Sequence, residues 1–145
     1  FLLELLNEEH NKAQVYGKPI SLIMMDLDNL KPINDNHGHH VGDELLKLFA
    51  STVTRSIREK DLFGRFGGDE FLIVLPETAI ESATAIADRI VSNLRKANLK
   101  YEGVDLRVSA SLGLTDSFGQ ETVKELLVKV DKELYTSKSR DRGLR

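Results

Sequence analysis

The run Ile20–Leu27, reading ISLIMMDL, limits the fold more than any other segment of the chain. It is nearly continuous in apolar residues yet far shorter than the ~20 residues of a membrane span, so it reads as a strand buried on both faces. Such a strand demands a packing layer above and below it, and the rest of the chain supplies helices for both. Residues 1–16 form an amphipathic helix with Phe1, Leu2, Leu5, Leu6 and Val15 as its apolar positions, ended by Gly17-Lys18-Pro19. Asp28–Gly42 is polar and rich in Asn, His and Gly, a loop or short helix. Residues 43–58 place Leu45, Leu46, Phe49, Val53 and Ile57 on or near one helical face. Over 79–97, Ala79, Ala83, Ile86, Ala87, Ile90, Val91 and Leu94 recur at helical spacing, and 121–139 is a last helix ending in a basic stretch. Two short apolar runs, LFGRF and FLIVL, flank Gly67-Gly68-Asp69-Glu70 and predict a hairpin with its turn at the glycines. Val104–Leu114 alternates Val108, Ala110 and Leu112 against Arg107, Ser109 and Ser111, a half-buried strand. This order predicts an α+β (mixed α/β) fold, a mostly antiparallel sheet flanked by helices.

Acids at the end of that buried strand are the first functional signal. Asp26 and Asp28 lie two residues apart and share one direction. A carboxylate at the end of a covered strand needs compensation, and a cation provides it most simply. A lone pair of this kind reads equally as a turn cap. The second acidic pair, Asp69-Glu70, changes the balance, because Gly67 and Gly68 remove side-chain bulk and let another molecule approach the backbone. Two acidic sites on neighbouring strands suit Mg²⁺ of the phosphoryl-transfer kind. There is no GxxxxGK[ST] loop, which excludes a P-loop nucleoside triphosphatase. The His37-Gly38-His39-His40 cluster lacks zinc-ligand spacing and a third ligand. With no cysteine, disulfides, thiolate metal sites and thiol catalysis are excluded. The net charge of −3 argues against nucleic-acid binding, which wants a strongly basic face. Without an apolar span or signal-peptide pattern, the expectation is a cytoplasmic domain with no direct membrane contact of its own.

Several motifs, in order, carry a family resemblance. Gly67-Gly68-Asp69-Glu70-Phe71 reads GGDEF, and Asp26 through Asp35 (DLDNLKPIND) resembles the DxDxFKxxND of the GGDEF domain, the catalytic domain of diguanylate cyclases. Gly38 through Asp43 resembles GHxxGD, Ser111-Leu112-Gly113 resembles SxG, and Asp131 through Lys138 resembles DxxLYxxK, followed by Arg142. The resemblance covers essentially the whole chain. It implies a palm similar to that of adenylate cyclases, with a five-stranded sheet. It also implies condensation of two GTP into cyclic di-GMP and two pyrophosphates across a homodimer, each domain holding one GTP. Asp26, the Leu27 carbonyl and Asp69 would bind Mg²⁺, with Mn²⁺ as a substitute, and Asp69 or Glu70 would handle the 3′-hydroxyl. Asn34 and Asp43 would read guanine, since a carboxylate accepts from donors that guanine presents and adenine lacks. Lys31, Lys138, Arg142 and the backbone at Leu30 would contact phosphates. Two positions depart from the pattern: Leu30 stands where the family usually has Phe, and Asp141 replaces a usual Gly.

Arg58-Glu59-Lys60-Asp61 is an RxxD motif whose register in the family marks an inhibitory product site, with Arg89 as a second arginine. Arginine suits phosphate and guanine edges alike. A helix-end Arg paired with a nearby Asp gives the same pattern without function. The alternative to the cyclase is a catalytically weak or inactive GGDEF module that binds cyclic di-GMP or GTP as a regulatory domain. Residues 1–145 suit one domain. The family's LTGLPNR-like segment is missing upstream and the first helix lacks a capping residue, so the domain is expected to be part of a larger protein with a sensory or regulatory region.

Overall fold

The computed structural model describes residues 1–28 and 30–143, with side chains described through Lys138. Ile20–Leu27 is a strand, β1, buried along all but one of its positions. It follows helix α1 (Leu2–Tyr16) and precedes α2 (Leu30–His37) and α3 (His39–Ser56). The glycine hairpin is β2 (Leu62–Gly67) and β3 (Glu70–Pro76), followed by α4 (Ile80–Lys96). Strands β4 (Asn98–Tyr101), β5 (Val104–Arg107) and β6 (Ala110–Ser117) lead into α5 (Val123–Gly143). The main sheet has the order β2-β3-β1-β6, and every pairing in it is antiparallel. β1 is thus central, as its unbroken apolar run requires.

Alternation along the central strands splits the core into two layers. Ile23, Met25 and Leu27 of β1 join Phe71, Ile73 and Leu75 of β3 in a layer closed by α2, α3 and α4, through Ile33, Phe49 and Ile90 among others. Ile20, Leu22 and Met24 join Leu72 and Val74 beneath α1 and α5, with Leu6, Leu126, Val130 and Leu134. Each fully covered side chain of this size contributes about 1.5–3 kcal/mol relative to exposure.

The α+β class and antiparallel sheet are as expected, with differences in detail. Among the described residues the main sheet has four strands rather than five, and β4–β5 form a separate two-stranded ribbon. Helix α3 begins at His39, four residues before the predicted start, because Val41 is fully buried and draws that turn onto the core. Val15 is exposed, and α1 buries Leu6 as expected, together with His10 and Ala13. On β6 the small residues Ser111, Gly113, Thr115 and Ser117 are the more buried set, while Ala110, Leu112 and Leu114 are half-buried. The reason is proximity: a Cβ at Gly113 would stand 2.2 Å from the Leu134 backbone nitrogen, so α5 lies almost on the sheet.

Candidate active site

The acids begin where the cover of β1 thins: Asp26 is half-buried and Asp28 exposed. Asp26 lies opposite Glu70 of β3 and opposite Ser111 of β6. It shares a side of its strand with Leu22 and Met24, and Glu70 shares one with Leu72 and Val74, so both acids belong to the α5 face. Helix α5 brings Lys138, whose ammonium pairs with the Asp26 carboxylate, and Asp131, seven positions earlier on the same helical face. Burial raises the pKa of the Glu70 carboxyl above its ordinary value; the charges of Asp131 and Asp26 raise it further, and Lys138 pulls the other way.

The hairpin turn delivers the second acidic pair. Gly68 takes φ +48°, a conformation that favours glycine, whereas Gly67 does not have positive φ. Arg65 Nε donates to the Gly68 carbonyl at 2.7 Å, and its guanidinium stands 5.8 Å from the centre of the Phe71 ring. The Asp69 carbonyl accepts from the Leu27 N–H at 3.4 Å, which joins the turn to the end of β1. Asp26, Leu27 and Asp69 therefore meet at one place in the backbone. Asp28 is a tie between strands: its carboxylate accepts from the Ser109 and Ser111 hydroxyls at 3.0 and 2.7 Å.

Among the described residues, no three His, Cys, Asp or Glu side chains form a group that could hold a metal ion. Mg²⁺ takes one or two carboxylates and completes its shell with water and substrate phosphates. The donors are hard oxygens, and Asp26, Glu70 and Asp131 set surplus negative charge against Lys138. The residues present fit the ion.

The expected base-reading pair lies beyond the strand end. Asn34 of α2 rests against Gly42 of α3, next to the exposed Asp43. Leu30 is buried in the core while Lys31 is exposed. Arg142 and Asp141 lie outside the residues whose side chains are described. Asp131, which opens the DxxLYxxK-like stretch without an implied role, joins the site through its charge on Glu70, and its seven-residue spacing from Lys138 is the signal that points to it.

A second constellation sits at the other end of the molecule's core layer. Asp61 accepts from the Arg58 N–H at 2.8 Å and from its guanidinium at 3.0 and 2.8 Å. Arg89 Nε donates at 2.7 Å to the carbonyl of Ser56, which ties this arginine of α4 to the backbone two residues before the Arg58–Asp61 pair.

The chain belongs to the GGDEF domain family, a class of nucleotidyltransferases: the family model "Diguanylate cyclase, GGDEF domain" matches residues 1–143. It is 36% identical over 144 residues to diguanylate cyclase DosC of Escherichia coli K12, covering 99% of this chain and 31% of that protein. It is 32% identical over 143 residues to diguanylate cyclase DgcP of Pseudomonas aeruginosa, covering 97% of this chain and 21% of that one. The chain thus spans a fifth to a third of the length of these relatives. The solved structure of diguanylate cyclase SiaD from Pseudomonas aeruginosa, in complex with its activator SiaC, is similar with a TM-score of 0.91 and 35% identity, over 96% of this chain and 54% of that one. The GGDEF domain of DgcB from Caulobacter crescentus, in complex with c-di-GMP, is similar with a TM-score of 0.89 and 26% identity, over 95% of this chain and 82% of that one. No helix among the described residues is long and apolar enough to cross a membrane.

Proposed function

We propose that this domain is a diguanylate cyclase, condensing two GTP molecules into cyclic di-GMP with release of two pyrophosphates. The observation that carries this reading is the opposition of Asp26 and Glu70 across β1 and β3, beside the glycine turn that presents Asp69. Two copies of the domain face each other, each holding one GTP. The 3′-oxygen of each nucleotide attacks the α-phosphorus of the other; the bond to the β-phosphate breaks, and pyrophosphate leaves. Asp26, the Leu27 carbonyl and Asp69 would hold Mg²⁺, or Mn²⁺ in its place. When bound, the ion neutralises charge on the triphosphate and in the transition state. Asp69 and Glu70 flank the hydroxyl, and the raised proton affinity of Glu70 favours it as the group that takes or orients the proton.

Lys31, Lys138, Arg142 and the backbone at Leu30 hold the phosphates, while Asn34 and Asp43 read guanine. As phosphate arrives, Lys138 exchanges its Asp26 partner for the nucleotide, which frees that carboxylate for the metal. Arg58, Asp61 and Arg89 form the product site that limits turnover. GTP as substrate places the domain in the cytoplasm. Incubation with GTP and Mg²⁺ at rising protein concentration, with products separated by chromatography, tests the reading. Cyclic di-GMP formed with a steeper than linear dependence on protein is expected. No product at high concentration, with cyclic di-GMP still bound, overturns the cyclase in favour of a receptor domain.

A further inference from the structure

The Asn34 side chain is seated on bare backbone. Its Oδ1 is buried with no hydrogen-bond partner among the described residues. A Cβ at Gly42 would stand 1.7 Å from that oxygen, 2.8 Å from Cγ and 3.3 Å from Nδ2. Gly42 lies in the first turn of α3, where it is buried, and its neighbour Asp43 is exposed. The carbonyl of Asn34 accepts the Gly38 N–H at 2.8 Å, which fixes how α2 turns into α3 and sets the two helices at this spacing. The missing side chain at 42 is thus what lets the Asn34 amide lie against the residue that precedes Asp43. An acceptor buried without a donor is unfavourable, so the arrangement needs an explanation outside folding.

We propose that Gly42 is a positioning residue for nucleobase recognition, holding open the seat in which the Asn34 amide stands beside Asp43 so that the two meet one purine edge together. This deepens the cyclase reading and rests on it. A ring N–H or amino group of guanine is the kind of donor the Asn34 oxygen lacks, and rotation of the terminal amide turns the oxygen toward it. Alanine at 42 obliges the oxygen to move by about 1.3 Å to restore even a 3.0 Å separation. The group that must yield is the end of a flexible side chain, so the amide moves and the helix stays. Misplacement of a recognition group by ~1 Å can lower productive binding by ~10–100-fold.

The test compares Gly42→Ala, Asn34→Ala and the double variant. The ¹⁵N side-chain amide resonance of Asn34, assigned by its loss in Asn34→Ala, is followed without nucleotide, and KM for GTP and kcat are measured for each protein. The expected result is a displaced Asn34 resonance in Gly42→Ala, a KM raised about tenfold and kcat within about twofold of wild type. Adding Gly42→Ala to Asn34→Ala should then change KM by less than about twofold. An unmoved resonance overturns the proposal, as does a rise in KM that is equally large in the Asn34→Ala background. Should Gly42→Ala fail to fold, a folded double variant supports the seat and an unfolded one overturns it. The resonance reports on the seat even in a domain that makes no cyclic di-GMP, so failure of the cyclase reading is seen separately.

Discussion

Replacing Arg58 with alanine measures whether the Arg58–Asp61 pair is an idle surface bridge or part of the fold. The Asp61 side chain is fully covered while that of Arg58 is 35% exposed. The guanidinium gives Asp61 two hydrogen bonds, at 3.0 Å from Nε and 2.8 Å from Nη2. Nη2 also donates to the Thr78 hydroxyl at 2.6 Å, and that hydroxyl donates to the Pro76 carbonyl at 2.7 Å, which ties the end of α3 to the end of β3. Alanine preserves the backbone N–H donor but leaves the carboxylate buried without its guanidinium. Exposed pairs contribute at most ~1 kcal/mol, whereas breaking a buried one costs ~3–5 kcal/mol. With a third of the arginine in water, the loss lies between these limits, at about 2 kcal/mol. For a domain of this size that lowers Tm by roughly 4–8 °C, read by thermal unfolding followed by circular dichroism. Arg58→Ala/Asp61→Asn should regain at least about half of the loss, since no charge is then left buried. A single variant melting within about 1 °C of wild type would refute the reasoning and return the pair to the surface class. Below its lowered Tm, Arg58→Ala should turn over GTP and escape inhibition by added cyclic di-GMP; unchanged inhibition removes Arg58 from the product site.

Two further perturbations probe how α5 and its approach are held. At Gly113 an added Cβ would lie 2.2 Å from the nitrogen and 2.7 Å from the Cα of Leu134. Both are backbone atoms, so Gly113→Ala drives α5 off the sheet and should cost about 1–3 kcal/mol. Tm should fall and KM for GTP rise together, because Lys138 moves with the helix; a normal Tm would show that α5 is not so close. The second concerns Glu121, whose carboxyl is held below its ordinary pKa by the Ser117 hydroxyl, against burial and with help from Lys129. A depressed folded value stabilises the protein above the unfolded value, and the gain is lost as pH falls through the folded one. The Tm gap between wild type and Glu121→Gln should therefore be largest near neutral pH and close below about pH 4.5. A gap constant down to about pH 3 would contradict this assignment.

What could be read from the sequence was whatever one short window contains. β1 is legible because eight consecutive residues supply both layers of the core, and the hairpin because two apolar runs meet at paired glycines. The start of α3 was missed because His39, His40 and Gly42 are weak helix formers, and only the burial of Val41 against distant strands decides their state. β4 escaped because, among the described residues, it pairs with β5 alone, outside the main sheet, and buries neither face well. The serine and threonine face of β6 reads as exposed by composition, yet α5 covers it. The same division holds in the site. Asp26, Asp69 and Glu70 stand out beside apolar runs and glycines, whereas the coupling of Asp131 to Glu70 depends on how a helix from the far end of the chain lies across β6 and β1.

That helix explains why the site can exist where it does. β1 is covered on both sides as far as Met25, so a carboxylate is tolerable only at its end. There Asp26 is still half-buried and faces a second acid across the β1–β3 pair. Two carboxylates so placed repel each other, and the balancing charge comes from Lys138 of α5. Lys138 reaches Asp26 because nothing larger than a hydrogen atom at Gly113 separates the helix from the sheet. The absence of one side chain on β6 thus sets the electrostatics of acids on β1 and β3. Any change that lifts α5 should disturb nucleotide binding and stability together, since the helix that carries Lys138 also covers the apolar layer of Leu22, Met24 and Leu72, whose packing contacts fall off steeply with separation.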